Sequence, residues 1–114
     1  MATPEPLNDM APLEFLNQAD KEMAAGNGRK AAGLMWRAIE ATILGLAQNK
    51  RIEGNNLDQL ALALDARSPE GSRSHMSSVV TGVTLLEHSK VEVLEDCELE
   101  LAYQLSREFV ANSR

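Results

Sequence analysis

The stretch from Ala31 to Gln48 constrains the fold more than any other part of the chain, because it is apolar around most of its circumference. One apolar set recurs at the three- or four-residue spacing of a helical face: Ala32, Met35, Ile39, Ile43 and Leu46. A second set lies on another side: Leu34, Ala38, Ala41 and Ala47. A helix with two apolar faces has to be surrounded by other helices. This stretch therefore predicts the central helix of an all-α bundle.

The spacing of apolar residues and the positions of glycine and proline predict five helices. They span residues 12–25, 31–48, 57–67, 72–88 and, from a start between 91 and 94, the stretch to 111. A strand over 78–85 is the alternative for the β-branched part of helix 4, but an apolar spacing of three and four favours a helix. Helices 1 and 2 form a long N-terminal hairpin. The predicted fold is an all-α five-helix bundle with helix 2 central, a single domain over residues 12–112 after a disordered N-terminal arm over residues 1–11.

Composition and net charge indicate which ligands and which cellular location to expect. The chain has 11 Lys and Arg against 17 Asp and Glu, a net charge of −6, and its basic residues are scattered, so nucleic acid is not an expected ligand. No apolar run reaches the roughly 18 residues of a membrane span, and the N-terminus lacks the charged and apolar regions of a signal peptide. The single cysteine, Cys97, cannot form an internal disulfide. These features predict a cytoplasmic protein that does not enter a membrane.

The sequence contains no complete catalytic or metal-binding constellation. His75 and His88 have no partner at metal-ligand spacing, and the serines around His75 have no orienting acid that the sequence reveals. We therefore predict no catalytic residue, no metal ligand and no cofactor. His88, near the end of helix 4, is interpreted as a cation or a cap at that terminus.

The turn GNGRKAAG invites comparison with a phosphate-binding loop. It lacks the required Lys-Ser/Thr pair, because Leu34 and Met35 follow Gly33. A tight turn between antiparallel helices is the simpler interpretation. The free N–H groups that begin helix 2, beside Asn27, Arg29 and Lys30, remain a candidate anion-binding site.

Helix 5 carries two apolar stripes. The first is predicted to face the core: Leu94, Cys97, Leu101, Leu105 and Phe109. The second, on a different side, consists of Leu99, Tyr103 and Val110. Because the first stripe already accounts for the core contact, the second predicts a homodimer interface.

Two stretches of the chain resemble HEPN-type small helical proteins, and together they cover about residues 13–111. They are the hairpin FLNQADKEMAAGNGRKAAGLMWRAIEATILGLA, with its central Trp-Arg-Ala, and the later stretch LLEHSKVEVLEDCELELAYQLSREFV. This resemblance implies a helical bundle, often dimeric and often the companion of a nucleotidyltransferase in a toxin–antitoxin pair. Active members cleave RNA with an Arg followed, after four to six residues, by a His. Here Thr81, Gly82 and Val83 occupy the places where that Arg would precede His88. For His75, one nearby arginine is too distant and another too close. Nuclease activity is therefore not expected.

Two functions follow as hypotheses. The first is a non-catalytic HEPN-like interaction protein that acts as a partner in a nucleotidyltransferase or toxin–antitoxin-like system. The alternative is a small tetratricopeptide-like chaperone or adaptor, because Gly26-Asn27 at the turn and Ala31, Ala32 and Ala38 at close-packing points resemble one such repeat unit. An enzyme with a site that the sequence does not reveal is a third. A bundle closed around helix 2 favours the first hypothesis, and an open groove beside helices 1 and 2 favours the adaptor.

Overall fold

A computed structural model describes residues 11–67 and 74–113, and within these ranges it contains five helices and no strand. The helices are α1 (Pro12–Ala24), α2 (Gly28–Asn49), α3 (Leu57–Arg67), α4 (His75–Lys90) and α5 (Asp96–Ala111). The predicted all-α class, the five helices and the long N-terminal hairpin are confirmed. Residues 1–10 of the predicted arm and the predicted turn after α3 lie outside the described residues.

Helix α2 is the centre of the bundle, as its two apolar faces predict. It packs against each of the other four helices. Its buried residues are Ala31, Ala32, Met35, Ala38, Ile39, Thr42, Ile43 and Ala47. Thr42 is the one polar residue among them, and its hydroxyl donates to the Ala38 carbonyl oxygen at 2.8 Å, so that its polar atom is satisfied within the helix.

The ends of the helices follow from local chemistry. Gly26 adopts a φ of +84°, a left-handed conformation that glycine reaches without strain, and this reverses the chain between α1 and α2. Asn56 caps the N-terminus of α3, because its Oδ1 accepts a hydrogen bond from the Gln59 N–H at 2.9 Å. In α4, Ser74 caps the N-terminus by accepting from the Ser77 N–H at 3.1 Å.

A close approach between α2 and α4 depends on a glycine. A Cβ added at Gly82 would lie 2.7 Å from Trp36 Cε3, which is closer than two carbon atoms pack. The indole of Trp36 therefore rests directly against the α4 backbone. Leu85 of the same helix is fully buried, so α4 completes the core on this side of α2.

The predicted core stripe of α5 is wrong for three of its five residues. Leu101 is 60% exposed, Leu105 is 36% exposed and Cys97 is exposed, whereas only Phe109 is fully part of the core and Leu94 lies half-buried against it. The buried set of α5 is Leu99, Ala102, Tyr103, Ser106, Phe109 and Val110.

The three residues proposed for a homodimer interface lie inside a single chain. Leu99, Tyr103 and Val110 are 5%, 5% and 8% exposed, so they form no surface that a second copy could reach. The two small residues of the buried set explain the difference. Ala102 and Ser106 let α5 approach its neighbours on this face, and the Ser106 hydroxyl donates to the Ala102 carbonyl oxygen at 2.8 Å.

Candidate functional site

A carboxylate from α3 receives four hydrogen bonds at the start of α4. Asp65 accepts from the backbone N–H groups of His75 at 2.6 Å and Met76 at 3.0 Å, and from the Ser74 hydroxyl at 3.1 Å. Its Oδ1 also lies 2.8 Å from His75 Nδ1. The His75 ring meets Phe109 edge to face, with 5.9 Å between centroids. Asp65 therefore caps α4 from a neighbouring helix and fixes the orientation of the imidazole.

The electrostatics of this cluster follow from the bonds that the carboxylate accepts. Partial burial by itself would raise the pKa of Asp65, but the backbone N–H groups of His75 and Met76, the His75 ring and the Ser74 hydroxyl donate to the carboxylate and together hold its pKa below the usual value. An acid beside an imidazole and serines resembles part of a hydrolase triad. Here the same oxygens cap a helix, which is a structural task.

Replacing Asp65 with Asn is expected to destabilise the protein by about 1–3 kcal/mol at neutral pH, because the amide keeps only part of the acceptor capacity that α4 requires. Since the folded-state pKa of Asp65 is lowered, its contribution is present above the unfolded value of about 3.9 and is lost as pH falls through the folded value. The difference in unfolding free energy between wild type and variant should therefore shrink below roughly pH 4. Urea denaturation at several pH values measures it. Asp58→Asn, at an exposed acid of the same helix, is the control and should change stability little; a constant Asp65→Asn difference across pH would contradict this account.

His88 closes the connection between α4 and α5. Its ring is only 4% exposed, and Nδ1 accepts hydrogen bonds from the backbone N–H groups of Val93 and Leu94, both at 3.1 Å. The sequence-based interpretation was a cation or a cap at the helix terminus. The structure shows a cap, and its Nδ1 serves the segment that follows α4 instead of the end of α4 itself.

A groove runs along one face of α2. Its first part is a cleft of about 990 Å³ between the α1–α2 turn, α2 and the end of α4, where Leu86, Ser89 and Glu92 form the far side. Its second part, about 570 Å³, lies along α2 from Arg37 to Gln48 beside Phe15 of α1. Arg37 and Glu40 line both parts, which therefore lie next to each other along α2. We call this surface the α2 groove.

The candidate anion-binding residues meet at the upper end of the α2 groove, where α2 begins. Each already has a partner within the chain. Arg29 donates from Nε to the Ser89 carbonyl oxygen at 3.3 Å and from a terminal nitrogen to the Lys90 carbonyl oxygen. This arginine therefore satisfies the free carbonyl groups at the end of α4 and holds α2 to that helix.

The other two candidates share one acid of α1. Asn27 Nδ2 donates to Glu22 Oε1 at 2.8 Å, and Lys30 Nζ lies 3.4 Å from Glu22 Oε2. The hydrogen bond from Asn27, followed by the charge of Lys30, lowers the pKa of the Glu22 carboxyl. Asn27, Arg29 and Lys30 thus brace the hairpin turn, and anion binding at this place stays a prediction.

Two classes of feature are missing from the described ranges. Within residues 11–67 and 74–113, no three His, Cys, Asp or Glu side chains approach one another closely enough to hold a metal ion. Across the same part of the chain, every helix is too short or too polar to cross a bilayer.

The part of this arrangement that sequence reasoning missed comes from tertiary contacts. Asp65 lies ten residues before His75 in another helix, and no spacing rule pairs them. The α2 groove was missed because Leu34 and Ala41, which line it, belong to the second apolar face of α2, and the sequence predicts that such a face is covered by other helices.

Comparison with known proteins adds no relative: no protein-family model, no curated protein and no solved structure matches this chain.

Proposed function

We propose that the chain is a non-catalytic HEPN-like helical interaction protein that forms a homodimer and serves as a partner in a nucleotidyltransferase or toxin–antitoxin-like system. The observation that carries this proposal is the distribution of exposed apolar side chains. Of the nine large apolar residues that are exposed in the described ranges, six belong to α4, α5 and the segment between them. They are Val80, Val83, Val91, Val93, Leu101 and Leu105. We call this set the α4–α5 apolar surface.

The packing of the bundle supports the HEPN-like form. Because α2 contacts all four other helices, the bundle is closed around α2 on most sides, which is the arrangement that favours the first hypothesis over an open repeat. Both histidines support a non-catalytic role, since the His75 ring bonds to the Asp65 carboxylate that caps α4 and His88 caps the segment before α5. The α2 groove retains one feature of the adaptor alternative, an open face beside helices α1 and α2.

The dimer is expected to depend on Leu101. Leu101→Glu places a charge on the α4–α5 apolar surface, where a second copy would have to desolvate it, and should convert a wild-type dimer to a monomer. Sedimentation at micromolar concentration measures the mass. Leu62→Glu is the matched control, because Leu62 on α3 is 57% exposed against 60% for Leu101. The dimer proposal fails if the wild type is a monomer, or if both variants behave alike.

The absence of catalysis is tested with RNA. The purified protein is expected to leave a mixed-sequence RNA intact, because neither histidine has an arginine at the required spacing. Gel analysis after prolonged incubation, with a known ribonuclease as positive control, measures cleavage. Cleavage by the wild type that disappears in His75→Ala would show that the histidine does more than cap a helix.

A further inference from the structure

We propose that the α2 groove binds one amphipathic helix of a partner protein, with leucine-type side chains turned into the groove and an acidic side chain facing Arg37. This inference rests on the proposed role as an interaction protein and names the chemistry of the partner. It concerns a surface different from the α4–α5 apolar surface. The argument depends on the dimensions, the lining and the charge of the groove.

The dimensions suit a helix. From Lys30 to Gln48 the groove follows α2 for a length of about 27 Å, at a rise of 1.5 Å per residue. A partner helix of about 18 residues would fill that length. The two adjacent parts have volumes of about 990 and 570 Å³, so concave surface occurs along most of the helix instead of in one closed pocket.

The lower part of the groove has a small-residue floor that lets another backbone come close. Ala41 and Gly45 lie one helical turn apart on the lining face of α2. A Cβ added at Gly45 would meet nothing within 4 Å, so the backbone there faces open space. Where two helices pack, small residues of this kind reduce the distance between their axes.

Apolar side chains border this floor and supply anchoring contacts. Leu44 is 48% exposed within the groove, although α2 is otherwise the most enclosed helix of the bundle. Toward the upper end, the half-buried side chains of Leu34, Trp36 and Leu86 also line the groove. An amphipathic helix that inserts leucine-type residues at helical spacing would cover these groups, as in other helix-in-groove complexes.

The basic residues of the groove differ in whether they are already paired. Lys30 lies 3.4 Å from the Glu22 carboxylate, and Arg29 donates to two carbonyl oxygens at the end of α4. Arg37 is the remaining basic residue of the lining, so a carboxylate of a partner is expected to approach this residue.

Arg37 is the cation best placed to pair with a partner. It stands where the two parts of the groove meet, with its guanidinium 5.3 Å from the centre of the Phe15 ring. Among the described residues, no carboxylate lies within ion-pair distance of this guanidinium. Stacking on Phe15 pre-orients the group, so an incoming carboxylate would meet a cation whose position is already restricted.

A second copy of this chain is the less suitable occupant. The exposed apolar residues of α4 and α5 would have to enter the α2 groove, and these are two different surfaces of the same molecule. Contact between different surfaces of identical chains adds copy after copy, and gives a ring or an open filament instead of a simple two-fold dimer. A helix from another protein has no such consequence.

The experiment uses the full-length protein and two labelled synthetic peptides of about 18 residues with leucines at helical spacing. The remaining positions carry Glu and Ala in the acidic peptide and Lys and Ala in the basic peptide. Fluorescence anisotropy measures binding, and the emission of Trp36, the only tryptophan, reports whether the groove is occupied. The acidic peptide should bind saturably and change the Trp36 emission, with the basic peptide at least about tenfold weaker.

Two variants locate the site. Arg37→Glu should weaken binding of the acidic peptide by about tenfold or more. Gly45→Leu, which fills the open floor, should also weaken this binding, and it changes no charge. Lys50→Glu is the matched control for charge reversal, because Lys50 is exposed just beyond α2 and does not line the groove; it should bind as the wild type does. Far-UV circular dichroism confirms that each variant is folded.

Three results would overturn the inference: no saturable binding of the acidic peptide, equal binding of the basic peptide, or undiminished binding to Arg37→Glu. Self-association that Arg37→Glu abolishes would also overturn it, in favour of a second copy as the occupant. Failure here leaves the proposed function standing, because the dimer and the RNA measurements do not involve the groove.

Discussion

Replacing Tyr103 with Glu is expected to unfold the protein or to lower its free energy of unfolding by at least about 4 kcal/mol, a large part of the 5–15 kcal/mol that stabilises a typical domain. Tyr103 is 5% exposed, and its hydroxyl accepts a hydrogen bond from Arg107 at 2.9 Å. A glutamate is shorter, so its carboxylate would lie deeper than the phenol oxygen and would leave a void where the ring packed. Urea denaturation followed by circular dichroism measures the change.

Two control variants test whether the loss of stability in Tyr103→Glu comes from the burial of this side chain. Tyr103→Phe removes only the contact with Arg107 and should cost about 1 kcal/mol or less. Leu101→Glu puts the same charge two residues away, at a side chain that is 60% exposed, and should stay within about 0.5 kcal/mol of the wild type when both are measured at a protein concentration at which they are monomers. If Tyr103→Glu were stable and Leu101→Glu unfolded, the assignment of the buried face of α5 would be reversed.

Replacing His88 with Ala is expected to lower the free energy of unfolding by about 2–4 kcal/mol. The variant loses a buried side chain and leaves the N–H groups of Val93 and Leu94 without the acceptor that Nδ1 provides. Both amides belong to the connection between α4 and α5. The loss of their two hydrogen bonds should therefore loosen the start of α5 as well.

Thermal and urea denaturation measure the effect of His88→Ala. Glu87→Ala, at the exposed neighbouring position, is the control and should change stability by less than about 0.5 kcal/mol. A His88→Ala change as small as that of the control would mean that the two backbone amides find other partners, and that His88 does not hold the connection together.

The sequence was sufficient to predict the helices because their signals are local. The two apolar faces of Ala31–Gln48 required a surrounded helix, and the structure places α2 at the centre. Asn56 and the glycine turn at Gly26 acted through hydrogen bonds and backbone conformation within a few residues. Such features depend little on what lies across the fold.

The face of α5 could not be predicted in the same way. Apolar residues occur on two sides of this helix, and periodicity alone does not decide which side is buried. The structure buries the side that contains Ala102 and Ser106, because small residues permit close packing and the serine hydroxyl bonds within its own helix. Counting large apolar residues therefore favoured Leu101 and Leu105, which remain exposed.

The candidate site was less predictable than the fold. The residues Asn27, Arg29 and Lys30 were correctly placed together at the start of α2, since they are neighbours in the sequence. Their internal partners, the Glu22 carboxylate and the carbonyl groups that end α4, become visible only when the helices are assembled. The same applies to the α2 groove, whose walls come from α1 and α4.

The central proposal is that a partner helix binds in the α2 groove and not on the α4–α5 apolar surface, and amide chemical-shift mapping tests it most directly. The acidic helical peptide is titrated into ¹⁵N-labelled protein. We predict that the shifted amides follow the groove, with Gly33, Arg37 and Gly45 among them, while the outer side of α5 around Leu101 stays unchanged. Shifts centred on α5, or on the Asp65–His75 cluster, would contradict the claim.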